Sequence, residues 1–266
     1  MKIGVSTSCF YPLETEVSLE NLGKAGIKHT EIFFNALSEL KQSFVDILLD
    51  IQGEYGITVA SIHPTMSLAE SFMIFSNYDR RYREAEDQYR RYSEIAAQLG
   101  AKYIIMHGGK PNGILTDEEY CERYMRLKEI TRENGANILQ ENVVRFRAGE
   151  IEFLRSMKNI LGEEAEFCID LKQSIRCGYN PYDLIEEFSD NIKHYHISDH
   201  SISSDCLLPY DGGFDFENFF SVLKSKGFEG SSILEVYKDC NHSYQEIYNS
   251  FANLKNCYCN IFVNRL

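Results

Sequence analysis

Short apolar runs alternate with longer amphipathic ones eight times along the chain, and this repetition most limits what it can fold into. The runs are "KIGVSTS" (2–8), "HTEIFFN" (29–35), "ITVASIH" (57–63), "AKYIIMH" (101–107), "NILQENV" (137–143), "AEFCIDL" (165–171), "IKHYHIS" (192–198) and "SSILEVY" (231–237). Each has the length of a strand. The stretches between them, such as "YDRRYREAEDQYRRYSEIAAQLG" and "TDEEYCERYMRLKEITRENG", read as helices that stop at a glycine able to take a left-handed cap. "SLENLGKAGI" and "FENFFSVLKSKGF" repeat the same grammar. Eight βα units in 266 residues predict an α/β fold, a single (β/α)8 TIM barrel over 1–266, rather than an open doubly wound sheet. No G-x-G-x-x-G follows the first strand and there is no phosphate-loop lysine motif, so dinucleotide and nucleoside triphosphate binding lose their main support.

A hydrophobic content of 44% with 25% charged residues is that of a chain able to bury a substantial core. No run approaches 18 apolar residues, and "MKIGVSTSCF" lacks the apolar stretch of a secretory signal, so no membrane association and a cytoplasmic location are expected. A net charge of −13 repels phosphate backbones and disfavours nucleic acid as a partner. The eight cysteines are scattered except for Cys257 and Cys259, and two thiolates at i, i+2 without further ligands make a poor zinc site.

In a barrel of this kind the reactive groups sit at the carboxyl ends of the strands. Strands three to eight finish on His63, His107, Glu141, Asp170, His196 and Glu235. Because side chains two apart share a face, His107, Asp170 and Glu235 should point inward with Ile105, Cys168 and Ile233, while Ile104, Met106, Phe167, Ile169, Leu234 and Val236 pack on the helices. In "HYHISDH" the same rule turns Tyr195 and Ile197 outward and His194 and His196 inward. His196 lies at the mouth, and His194 one layer deeper reads as a hydrogen-bonded core histidine. Asp199 and His200 belong to the loop beyond, supporting the site or touching substrate. A lone Glu or His at a strand end is ordinarily solvated. Six in succession on one rim point instead to a divalent cation, because carboxylates buried together repel one another unless a cation holds them.

"QENV", "IDLKQS", "HYHISDH", "YDGGFDF" and "ILEVY" resemble the successive signatures of the xylose-isomerase-like barrels. That group holds sugar-phosphate isomerases and epimerases, ketose 3-epimerases, inosose dehydratases and the endonuclease IV enzymes. The resemblance implies a metal quartet of Glu141, Asp170, His196 and Glu235 holding Mn, Zn, Mg or Co. It also implies a metal-dependent isomerase or epimerase of a small sugar or sugar phosphate. Glu141 and Glu235, three strands apart, would then serve as the base and acid pair beside the chelated carbonyl. His63 and His107 match two histidines that bind a second zinc in the endonuclease branch and line the substrate pocket in many sugar-acting relatives. Gln173 and Arg145 are further candidates, for a sugar hydroxyl and for a phosphate or polar arm.

Two departures weaken the nuclease reading. A D-x-x-H pattern has become Asp170, Leu171, Lys172, Gln173, and a D-x-H pattern has become Ser204, Asp205, Cys206, so a third zinc site looks dismantled. An endonuclease IV-like phosphodiesterase, an inosose dehydratase-like lyase and a non-catalytic sugar- or metal-binding barrel stay as alternatives, and a homo-oligomer stays open. The apolar stretch 64–79, with Met66, Phe72, Met73 and Phe75, is expected to form either a lid or an extra helix on the rim. Phe10, Tyr11, Phe34 and Asn35 are expected to supply the wall on which a sugar stacks.

Overall fold

The computed structural model describes residues 1–64, 69–237 and 243–263. Eight parallel strands close into one barrel in chain order: β1 (Lys2–Ser6), β2 (His29–Phe33), β3 (Thr58–His63), β4 (Tyr103–Met106), β5 (Asn137–Glu141), β6 (Phe167–Asp170), β7 (Ile192–Ile197) and β8 (Ser231–Leu234). β1 pairs with β8 through Lys2 and Ser231 up to Val5 and Leu234, which closes the ring. All eight predicted runs form strands.

The helices around them are α1 (Thr15–Lys24), α2 (Gln42–Tyr55), α3 (Glu70–Met73), α4 (Asp79–Leu99), α5 (Asp117–Arg132), α6 (Ile151–Leu161), α7 (Leu171–Arg176), α8 (Pro181–Phe188), α9 (Phe216–Ser225) and α10 (Tyr244–Phe262). Their ends follow local chemistry. Thr116 and Glu119 form a capping box that starts α5, satisfying two backbone N–H groups that no turn of the helix can reach. Gly100 takes φ 73° to stop α4, as the sequence predicts. No helix among the described residues is long and apolar enough to cross a membrane.

The two faces of each strand separate as the period-two rule requires. Ile104, Met106, Phe167, Ile169, Tyr195, Ile197, Leu234 and Val236 join the large apolar cluster shared by strands and helices, where Phe167 meets Phe188 and Tyr195 meets Phe219 edge to face. Ile105, Leu139 and Cys168 form a separate small cluster. These three are the inward residues of β4, β5 and β6 and fill the barrel interior. Register shifts at Thr30/Glu31 and at Phe167/Cys168 adjust the ring. The first brings Ser61 level with Glu31, so that two polar groups meet inside the barrel.

The described part of the segment after β3, 69–78, forms α3 and a turn, the extra helix of the two expected forms. Phe75 is buried and stacks on Tyr120 with ring centres 3.9 Å apart, while Phe72 is exposed under the Lys110 ammonium. Met66 lies outside the described residues. Of the residues expected to form a sugar-stacking wall, Phe10 and Phe34 belong instead to the core shared with the helices. Phe34 and Phe10 are fully buried, Phe10 against Tyr244 and Tyr248, and Asn35 donates to Thr15 Oγ1 and the Phe33 carbonyl. Tyr11 is exposed. Because Glu31 faces inward, alternation turns Phe33 rather than Phe34 toward the barrel, and the Phe33 ring stacks on His63 at 4.4 Å.

Candidate metal centre and active site

Local structure aims each strand-end group. Asp170 closes β6 and caps α7: its Oδ1 accepts the Gln173 N–H at 3.2 Å, which leaves Oδ2 turned into the barrel. Asn142 clasps the same residue, accepting Asp170 N–H at 2.7 Å and donating to the Asp170 carbonyl. Glu235 lies one residue past β8, yet its N–H still reaches the Ile197 carbonyl at 2.9 Å, extending the ladder to the mouth. Cys9, in the turn after β1, accepts the Val236 N–H through Sγ and steadies that end.

These groups converge. Glu141, Asp170, His196 and Glu235 each offer a donor atom within 4.8 Å of the others, and all four side chains are buried. His196 Nδ1 is the common neighbour, 2.9 Å from Glu141 Oε1, 3.4 Å from Glu235 Oε2 and 3.9 Å from Asp170 Oδ2. The second oxygen of Glu141 faces the other way, toward His107 Nε2 at 2.9 Å and His63 Nε2 at 3.7 Å, and the two imidazole nitrogens lie 3.1 Å apart. Glu141 thus belongs to both groups.

Three partners are visible only in three dimensions. Glu31, wholly buried in β2, lies 3.0 Å from His196 Nε2 and accepts hydrogen bonds from Ser61 Oγ and Ser6 Oγ. In the sequence it stands after the polar His29 and Thr30 and before the apolar Ile32, Phe33 and Phe34, so nothing local marks it as a partner of a histidine on β7. Lys172, also buried, binds Asp170 Oδ2 and lies 2.5 Å from Glu235 Oε2. Glu70 on α3 takes the backbone N–H groups of His107 and Gly108 on one carboxylate oxygen, each at 2.8 Å.

The remaining candidates fall into different settings. Gln173 accepts the Val144 N–H and donates to Tyr237 Oη at 3.3 Å, on the rim beside the quartet. Arg145 is exposed on the loop after β5. His194 lies one layer below His196, 3.5 Å from Glu31 Oε2 and from Ser61 Oγ, as a core histidine. The Asp199 carboxylate accepts backbone N–H groups of His200, Tyr210, Gly212 and Phe214, so it folds its own loop. Asp205 is paired with Arg176 by two hydrogen bonds. Cys257 and Cys259 join no cluster of metal-competent side chains among the described residues.

Burial and charge pull the carboxyl groups apart. Burial would raise Glu141, but the imidazoles of His107, His196 and His63 outweigh it and hold the group well below the usual carboxylate range. Burial likewise opposes Glu235, whose carboxyl is lowered by Lys172 and His196. For Asp170 burial wins over Lys172 and raises the carboxyl to about 6. Burial opposes charge on His196 too, and nearby Cys168, Glu31 and Glu235 nevertheless hold its pKa well above the ordinary value.

The donor set fits a divalent cation. Three carboxylates and one imidazole around a common point are the hard-to-borderline ligands that Mn, Mg, Co and Zn accept. Glu141 Oε2, turned away from this set toward His107 and His63, is buried with no N–H aligned on it, so it is an oxygen that a charge beside the histidine pair would satisfy. Glu31 behind His196 completes the carboxylate–imidazole arrangement that orients metal-binding histidines.

Residues 19–257 match the xylose isomerase-like TIM barrel family. Among curated relatives, an uncharacterised protein of Mycobacterium leprae is 22% identical, covering 89% of each chain. An inosose dehydratase of Clostridium botulinum is 19% identical over 59% of this chain and 65% of its own. Among solved structures, the apo 3-keto-D-glucoside 4-epimerase of E. coli superposes with a TM-score of 0.77 at 17% identity, covering 97% of this chain and 100% of that one. The IolI protein with a bound zinc atom gives 0.77 at 19% identity, covering 99% and 100%. At these identities the likeness to the solved structures is one of fold.

Proposed function

From the chain's membership of the xylose isomerase-like TIM barrel family, we propose that it is a divalent-metal-dependent isomerase or epimerase of a small sugar or sugar phosphate. The observation that carries this reading is the meeting of Glu141, Asp170, His196 and Glu235 donor atoms within 4.8 Å at the barrel mouth. A bound divalent ion would polarise a sugar carbonyl and hold its neighbouring hydroxyl.

The chain's own residues then handle the proton. Glu141 and Glu235 approach the common centre from β5 and from the end of β8, so a sugar carbon between them meets a carboxylate on either face. Its imidazoles favour the ionised form of Glu141, and before an ion binds Lys172 and His196 do the same for Glu235, against the opposing effect of burial. One takes the proton from the carbon beside the carbonyl, and the other, having taken a proton from solvent water, donates it to the opposite face of that carbon, while the first releases its proton to solvent. Asp170 and His196 hold position, while His63, His107 and Gln173 supply polar contacts for sugar hydroxyls and Arg145 a contact for a charged arm.

The test is turnover of a panel of ketoses, aldoses and their phosphates by Glu141→Gln and Glu235→Gln, with metal content measured on the same samples. Each variant should keep its metal and lose at least about 100-fold in kcat. Full activity in both would refute the roles. The inosose dehydratase relative favours a second reading, a lyase that begins with the same proton abstraction. Its product would be lighter than the substrate by one water.

A further inference from the structure

Lys172 is the second residue of α7, and Asp170 is the cap of that helix, so the lysine side chain folds back over the cap into the barrel. It is 1% exposed. Its ammonium binds Asp170 Oδ2 and lies 2.5 Å from Glu235 Oε2, and the Tyr237 ring centre is 5.0 Å away. These two oxygens are the ones that Asp170 and Glu235 turn toward His196 Nδ1, at 3.9 Å and 3.4 Å. A cation shared with His196 would need the same two. An ammonium with three donors between two buried carboxylates removes a repulsion that would otherwise oppose folding. It carries one charge, however, and Glu141 faces imidazoles instead.

We infer that Lys172 is the resident counter-ion of the metal-free site, and that a divalent ion enters by exchange, taking Asp170 Oδ2 and Glu235 Oε2 from the ammonium. The inference rests on the metal-dependent reading above. Tyr237 is 41% exposed at the rim, and its ring face is a cation–π perch for the displaced ammonium. Lys172 therefore does two opposite things: it stabilises the barrel before an ion binds, and it weakens metal binding by the amount of the contacts the ion must break. No covalent step is involved. The exchange moves one ammonium by a side-chain rotation and leaves the backbone of every ligand in place.

The experiment compares the wild-type chain with Lys172→Met and Lys172→Gln, all stripped of metal, by calorimetric titration with Mn²⁺ and with Zn²⁺ and by thermal unfolding of the same samples. Both variants should bind the ions at least about ten-fold more tightly than wild type, while their metal-free forms unfold about 5 °C lower or more. A variant that folds only when the ion is present supports the exchange, because the ion then supplies the charge that the lysine carried. A variant that stays unfolded at saturating ion overturns it. So does equal or weaker binding by folded variants when wild type binds, an outcome that leaves the metal-dependent reading standing. Absence of binding by all three chains to both ions removes that reading, and the exchange with it.

Discussion

Glu31 Oε2 lies 3.0 Å from His196 Nε2, on the edge of the ring opposite the nitrogen that faces Glu141, Asp170 and Glu235. With Nε2–H donated to Glu31, Nδ1 is the nitrogen left for a cation, and Glu31 decides which tautomer a metal-loaded site would use. Glu31→Gln keeps the size and one acceptor but loses the charge. Metal affinity of the variant, measured by titration of stripped protein, should fall about ten-fold with one His196-containing site retained. An affinity within a factor of two of wild type would show that His196 needs no such support.

Glu70 links acidity to stability. Its Oε2 accepts His107 N–H and Gly108 N–H and its Oε1 accepts the Tyr89 hydroxyl, and burial raises its carboxyl from 4.5 to about 7 despite those donors. The folded chain therefore holds this proton more tightly than the unfolded one, so the contribution is complete below pH 4.5 and is lost as pH rises through about 7. Glu70→Gln keeps an acceptor for the two backbone groups and cannot titrate. Between pH 4.5 and 8, wild type should lose about 3 kcal/mol relative to the variant, read from urea unfolding at each pH. Parallel profiles would mean that the carboxyl is ionised throughout.

The strands and their facing were legible because burial between barrel core and helices writes a period of two into every run, and Ile104/Ile105 and Phe167/Cys168 part company as that period demands. The convergence of Glu141, Asp170, His196 and Glu235 was legible for the same reason, since a polar residue at an inward strand end has only the mouth to occupy. Phe33 and Phe34 exchanged roles because two adjacent phenylalanines carry no polarity to phase the strand, whereas Glu31, two residues before Phe33, does. Lys172 escaped detection on different grounds: its contact with Glu235 depends on a long side chain turning back over a helix cap, and no spacing along the chain encodes that torsion. Glu70 was hidden because its acceptor role serves backbone groups 37 and 38 positions away, which have no side-chain signature.

His63 and His107 pose the question of ion count. They share Glu141 Oε2, at 3.7 Å and 2.9 Å, while Phe33 covers His63 and Phe146 lies 5.3 Å from the His107 ring. His107 is the less buried of the two, with 16% of its side chain exposed, as a group meeting substrate would be. The double variant His63→Ala/His107→Ala should keep the metal stoichiometry of wild type, raise KM for the preferred sugar roughly ten-fold, and leave the quartet's affinity nearly unchanged. A fall from two ions per chain to one would assign the pair to a second metal instead.

Gly108 connects the fold to this pair. It follows His107 with φ 90°, a region that L side chains rarely adopt, and a Cβ there would stand 2.0 Å from Tyr120 Oη and 3.0 Å from Gln140 Oε1. Tyr120 donates its hydroxyl to Gln140 Oε1 at 2.6 Å, and Gln140 donates in turn to the carbonyls of Met106 and His107. The network sets the height at which His107 meets Glu141. Gly108→Ala carries both a steric and a backbone penalty, so it should cost about 2–3 kcal/mol in unfolding free energy and lower kcat/KM by more than stability alone explains. Adding Tyr120→Phe removes the atom the methyl meets first. The double variant should regain part of the stability but not the activity, because Gln140 then loses the donor that orients it. Complete recovery of both would show that the clash alone mattered and that the hydrogen-bond chain from Tyr120 to the His107 carbonyl has no part in positioning the imidazole.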